Sequence, residues 1–105
     1  MTIIELEEHL QGLNLPLAYR QWGKGEEPNL PYLLFYRDQS DDFYADDGNY
    51  VAGNQMALEL YSETKDFELE EQVEGLLKQL NIPYQIYEVT IETEEMYEVL
   101  YEFKI

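Results

Sequence analysis

No cysteine occurs in the 105-residue chain. That excludes disulfides and thiolate metal sites, and it points toward an intracellular origin. Basic residues are also scarce: six Lys and Arg stand against 23 Asp and Glu, for a formal net charge of −17. A surface this negative repels the nucleic-acid backbone and anionic membranes, so neither direct nucleic-acid binding nor membrane attachment is expected. It suits basic or metal-bearing partners, and it also serves plain solubility. No apolar run approaches the roughly 18 residues a membrane span needs. The opening "MTIIELEEHLQGL" has no basic stretch leading into an apolar one, so no signal peptide is read.

The parts for nucleophilic catalysis are few. There is one histidine, His9, flanked by Glu7 and Glu8, and Ser40 and Ser62 are the only serines. Without cysteine a nucleophile would be Ser or Thr beside a base, and nothing in the spacing brings either serine to His9. The glycines at 23, 25, 48 and 53 match neither a P-loop nor a dinucleotide fingerprint. No catalytic residue and no cofactor is assigned. Among 23 acids any carboxylate pair is uninformative as a glycosidase signature.

What is present is enough apolar sequence for one core. Hydrophobic residues are 45% of the chain, too many for a disordered acidic tail, and the length favours one domain over residues 1–105. Ile3, Leu6, Leu10 and Leu13 recur at helical spacing, with Thr2 and Glu5 forming a capping box and Asn14 and Pro16 ending the helix. "LPLAYRQW" (15–22) reads as a short strand and "GKGEEPN" (23–29) as a turn. "LPYLLFYRD" (30–38) reads as a strand, apolar on both faces in its middle, as a doubly covered position requires. "YVAGNQMALELYSE" (50–63) is the next strand, pairing with it as a long hairpin, with Gly53 marking a bulge. A second helix follows, capped by Asp66, with Glu68, Glu70 and Glu71 near its positive end and an apolar stripe of Leu69, Val73, Leu76, Leu77 and Leu80. Lys78 sits near its end, and Asn81 and Pro83 stop it. Residues 84–92 and 97–105 close the chain as an antiparallel hairpin, the last strand alternating strictly. The order α-β-β-β-α-β-β predicts an α+β domain: a mostly antiparallel sheet packed against two helices on one face.

"DQSDDFYADDGNYVAG" (38–53) is the unusual stretch, with five aspartates, three rings and two glycines. An EF-hand alignment on Gly48 puts Phe43, Ala45 and Asp47 at the early ligand positions and Asn54 at the last, so the pattern fails. A different calcium site from Asp41, Asp42, Asp46 and Asp47 stays open, and no metal ligand is assigned. Phe43 and Tyr44 either pack back or meet a partner, since aromatic rings are enriched at interface hot spots. The candidate protein-interaction residues are Asp38, Asp41, Asp42, Phe43, Tyr44, Asp46, Asp47 and Tyr50. The other tyrosines, Tyr97 and Tyr101 among them, suit half-buried strands.

"PYLLFYRDQSDDFYADDGNYV", "ELYSETKDFELEEQVEGLL" and "IPYQIYEVTIETEEMYEVLYEFKI" together resemble the small prophage structural proteins of tail-terminator or tail-completion (head–tail joining) type from long-tailed phages of Gram-positive bacteria. The resemblance rests on Pro31-Tyr32, Asp46 with Asn49-Tyr50, "LYSETKD" (60–66), the glutamates of the second helix and "ETEEMYEVLYEF" (92–103). It covers residues 30–105; the first 29 match only in having a leading helix. It implies a non-enzymatic virion subunit without cofactor that assembles into a ring with copies of itself and meets other tail or head–tail proteins. Its place would be the bacterial host cytoplasm during assembly and then the virion. Two other classes stay open: an acidic adaptor or inhibitor that binds a basic protein surface as a DNA mimic does, and a calcium-binding module.

Overall fold

Thr2 starts the first helix by the expected reciprocal cap. Its hydroxyl accepts from the Glu5 N–H at 3.0 Å, and the Glu5 carboxylate accepts from the Thr2 N–H at 2.8 Å. Two donors left free at the start of a helix are thereby satisfied. The computed structural model describes residues 1–38 and 53–105 and runs this helix, α1, over Ile3–Gln11. Strands β1 (Leu17–Tyr19), β2 (Tyr32–Arg37) and β3 (Gln55–Ser62) follow. Helix α2 (Phe67–Gln79) comes next, then β4 (Tyr84–Ile91), a 3₁₀ turn (Glu92–Glu94) and β5 (Met96–Lys104). The element order is the expected one.

The five strands lie in the order β1-β2-β3-β5-β4. β2–β3, β3–β5 and β5–β4 are antiparallel, but β1 runs parallel to β2, with Leu17 opposite Leu33 and Tyr19 opposite Phe35. The sheet is therefore mixed: mostly antiparallel, as expected, with one parallel pairing at the β1 edge. The physical reason is the connection. Residues 20–31 are long enough to carry the chain back along the strand length, as a parallel neighbour requires. β1 is also shorter than "LPLAYRQW" suggests, because the chain turns at Arg20, whose φ is +69°.

Side-chain alternation sorts the sheet into two faces. Leu33 and Phe35 of β2, Met56, Leu58 and Leu60 of β3, and Val99, Tyr101 and Phe103 of β5 share one face. They form a single core with Leu6 and Leu10 of α1 and Val73 and Leu77 of α2. Both helices thus cover the same face. Asp66 caps α2 by accepting from the Leu69 N–H at 3.1 Å. The helix closes as a Schellman motif: Asn81 takes a left-handed φ of +59°, its N–H bonds the Lys78 carbonyl, and the Ile82 N–H bonds the Leu77 carbonyl at 2.9 Å. Ile82 is buried beside that turn. Glu70, nearly buried, is held by Lys65 at 2.8 Å, and Lys65 also pairs with Glu88 of β4.

Gly53 lies two residues before β3 rather than inside it, so it marks no bulge within the strand. Its φ is +116°, and a Cβ there would meet the Ile105 carbonyl oxygen at 2.4 Å. The close approach arises because Asn54 and Ile105 exchange two backbone hydrogen bonds of 2.9 Å. A side chain is excluded where the chain re-enters the sheet.

Within the α2 stripe the burial is uneven. Val73 and Leu77 are sealed, whereas Leu69, Leu76 and Leu80 are only partly buried against the core. Leu77→Ala should cost roughly 2–5 kcal/mol through transfer loss and cavity formation, and Leu76→Ala clearly less. Chemical denaturation of both variants checks this, and equal small losses would mean that α2 does not seat on the sheet.

Candidate interaction surface

The alternation that builds the core leaves the opposite face of the sheet without a helix among the described residues. That face presents Tyr32, Leu34 and Tyr36 from β2, Ala57, Glu59 and Tyr61 from β3, Glu98, Leu100 and Glu102 from β5, and Tyr87, Val89 and Ile91 from β4, by the strand registers. The middle of β2 is apolar on both sides for this reason. Leu33 and Phe35 enter the core, while Tyr32 and Leu34 are buried on the second face beneath other side chains of that face. Trp22, from the β1–β2 connection, sets its ring edge-on to Tyr32 at 5.4 Å, and Tyr61 lies at 5.3 Å on the other side.

Glu59 sits in the middle of this surface. The Tyr36 hydroxyl donates to one of its carboxylate oxygens at 3.0 Å and the Tyr61 hydroxyl to the other, also at 3.0 Å. Glu98 is its diagonal neighbour across the β3–β5 pairing. Burial, followed by the Glu59 charge and a hydrogen bond to Glu59, pushes the Glu98 carboxyl up to about 7. A carboxylate beside a half-buried carboxyl favours that carboxyl's neutral form. Burial and the same glutamate raise the Tyr36 and Tyr61 phenols well above their ordinary range, so both remain donors at any working pH. Arg20 lies over the Tyr36 ring at 4.7 Å and donates to the Arg37 carbonyl.

The sheet's two edges differ. β1 offers only three residues. β4 offers eight, almost all exposed. Ile86, Tyr87 and Val89 are 41%, 45% and 42% exposed, so this edge carries apolar side chains on both of its faces. Protein edges are normally blunted by proline, lysine or a bulge. Tyr84–Ile91 contains neither residue and pairs without interruption with β5. Such an edge can take up a further strand.

Asp38 closes β2, its N–H donating to the Gln55 carbonyl at 2.8 Å. The described residues resume at Gly53. The other interaction candidates, Asp41, Asp42, Phe43, Tyr44, Asp46, Asp47 and Tyr50, lie outside the described residues, as do all four aspartates of the calcium reading. The described residues bring together a different set, Glu59, Glu98, Tyr36 and Tyr61 with the β4 edge, which sequence reasoning did not single out. One signal was available: Glu59 and Glu98 occupy strand positions flanked by apolar residues. His9 is exposed on α1 and Ser62 is buried at the end of β3. No helix among the described residues is long and apolar enough to cross a membrane. No protein-family model, curated protein or solved structure is significantly similar to the chain.

The Glu98 shift has a definite sign. A carboxyl whose pKa is higher folded than unfolded binds more protons in the folded state between the two values, here between about 4.5 and about 7. Its contribution to stability is complete below that window and is lost as pH rises through it. Tm should therefore rise from pH 7.5 to pH 5 more steeply in the native protein than in Glu98→Gln. Thermal melts of both across that range test the point, and parallel slopes would show that Glu98 is not the titrating group.

Proposed function

We propose that this chain is a non-enzymatic structural subunit of a phage or prophage virion, a tail terminator or head–tail joining protein that assembles into a ring. The observation that carries the reading is the long β4 edge with exposed Ile86, Tyr87 and Val89, free of proline and bulge and bearing one charged residue, Glu88. A ring subunit needs a head-to-tail contact that closes by rotation, and an exposed strand edge supplies backbone hydrogen bonds for one. The resemblance over residues 30–105 supports the same role, and the acidic aromatic stretch from Asp38 to Gly53 offers Phe43 and Tyr44 as anchors for a neighbour. Its partners would be copies of itself and adjoining tail or head–tail proteins, met first in the host cytoplasm and then within the virion. The charge of −17 suits a lumen through which DNA passes without adhering.

Subunits of this charge repel one another, so assembly should strengthen as salt rises through screening. Light scattering across protein and salt concentration, followed by negative-stain microscopy, should reveal closed rings at moderate salt. Val89→Lys lowers the negative charge, yet it should block assembly by placing a cation on the edge, with the monomer's Tm nearly unchanged. Replacing Phe43 and Tyr44 together by Ser should likewise remove assembly and spare the monomer. Rings that survive Val89→Lys would rule out the β4 edge. Rings that dissolve in moderate salt would show that ion pairs, with Arg20 and Arg37 as the first suspects, hold the subunits instead.

A further inference from the structure

Beside the tyrosine–glutamate cluster, at the end of the sheet away from Asp38 and Gly53, the helix-free face dips into a groove of about 490 Å³. Its floor is Tyr32, Leu34 and Tyr61. Trp22, with Gly23 and Gly25, walls one side, and Ile91, Met96 and Glu94 wall the other. Carboxylates stand at both sides. Glu27 accepts from the Tyr32 hydroxyl at 3.1 Å, and Glu94 belongs to the exposed 3₁₀ turn. Among the described residues no cation lines the groove; Lys24, between the two glycines, is exposed outside it.

Aromatic walls with carboxylates at the rim suit one kind of side chain. A guanidinium stacks on a ring face while its N–H groups bond a carboxylate, and its aliphatic stem covers apolar surface. The chain already makes such a contact within its own fold, with the Arg20 guanidinium over the Tyr36 ring at 4.7 Å. The indole N–H of Trp22 is buried without a hydrogen-bond partner, so the wall offers the groove an apolar ring surface.

We infer that the groove between Trp22 and the β4–β5 turn is a docking site for an arginine-bearing, otherwise aliphatic segment of a different protein. Charge complementarity points to the occupant. A second copy of the chain is a poor source, because it holds only six basic residues, of which Arg20 and Lys65 are engaged within the fold. The site does not depend on ring formation, and it would serve a subunit that holds a basic partner equally well outside a ring.

Trp22 is the only tryptophan, so its fluorescence reports on the groove directly. The probe is a capped Gly-Leu-Arg-Ile-Gly peptide, with a control in which citrulline replaces arginine. At near-physiological salt the arginine peptide should shift Trp22 emission saturably, and the citrulline peptide should bind at least about tenfold more weakly. Glu94→Gln, at an exposed turn, and Glu27→Gln with Glu94→Gln should weaken binding progressively. Glu8→Gln with Glu71→Gln makes the same charge change on the helices and should leave binding unaltered. Equal weakening by both double variants would reduce the effect to general attraction by an acidic protein and overturn the site. So would the absence of any saturable shift. A Trp22 shift that instead follows protein concentration alone would assign the groove to a second copy.

Discussion

One constraint organises the molecule: two helices are too few to cover both faces of a five-stranded sheet. Both α1 and α2 seat on the face made by Leu33, Phe35, Leu58, Leu60, Val99 and Tyr101, and the second face must manage without them. Its answer is local. Trp22 packs on Tyr32 and Tyr32 on Tyr61, and Leu34 and Ala57 are buried on the same face. The phenol hydroxyls, which would cost free energy if buried unpaired, find glutamates. Tyrosine suits this position because its body is apolar and its tip is polar.

The same arrangement explains how so acidic a chain tolerates carboxyls near its sheet. Glu59 is supported by two phenol donors, and Glu98 beside it is pushed up toward neutral pH. On the helix side Glu70 relies on Lys65, and Glu74 accepts from Tyr84 and Tyr101. With so few cations to share among its acids, the protein uses tyrosine hydroxyls where another protein would use lysine or arginine. The ten tyrosines are in part a hydrogen-bonding supply for the acids.

The helix caps, the α2 stripe and the two antiparallel hairpins were legible in the chain, because each depends on residues within a few positions or on a short connection. Thr2 with Glu5 and Asp66 with Leu69 are local chemistry, and the alternation of Tyr97, Val99, Tyr101, Phe103 and Ile105 needs no partner to be seen. β1 was only half legible. Three residues carry little pattern, and their direction beside β2 depends on how residues 20–31 return the chain. The interaction surface was the least legible. Glu59 and Glu98 are two among 23 acids until the β3–β5 register makes them diagonal neighbours, and Trp22 reads as the end of a strand until it folds onto Tyr32.

Taken by itself, the sequence determined the order of elements, the side of each helix that is buried and the excess of negative charge, since all three follow from local periodicity and composition. Only the tertiary structure decided that β1 is parallel, that β4 is left as the long open edge and that the tyrosines and glutamates of the other face meet. These are outcomes of strand pairing between distant segments. A shift of one residue in register moves every side chain to the opposite face, and no short stretch of the chain contains the information that sets that register.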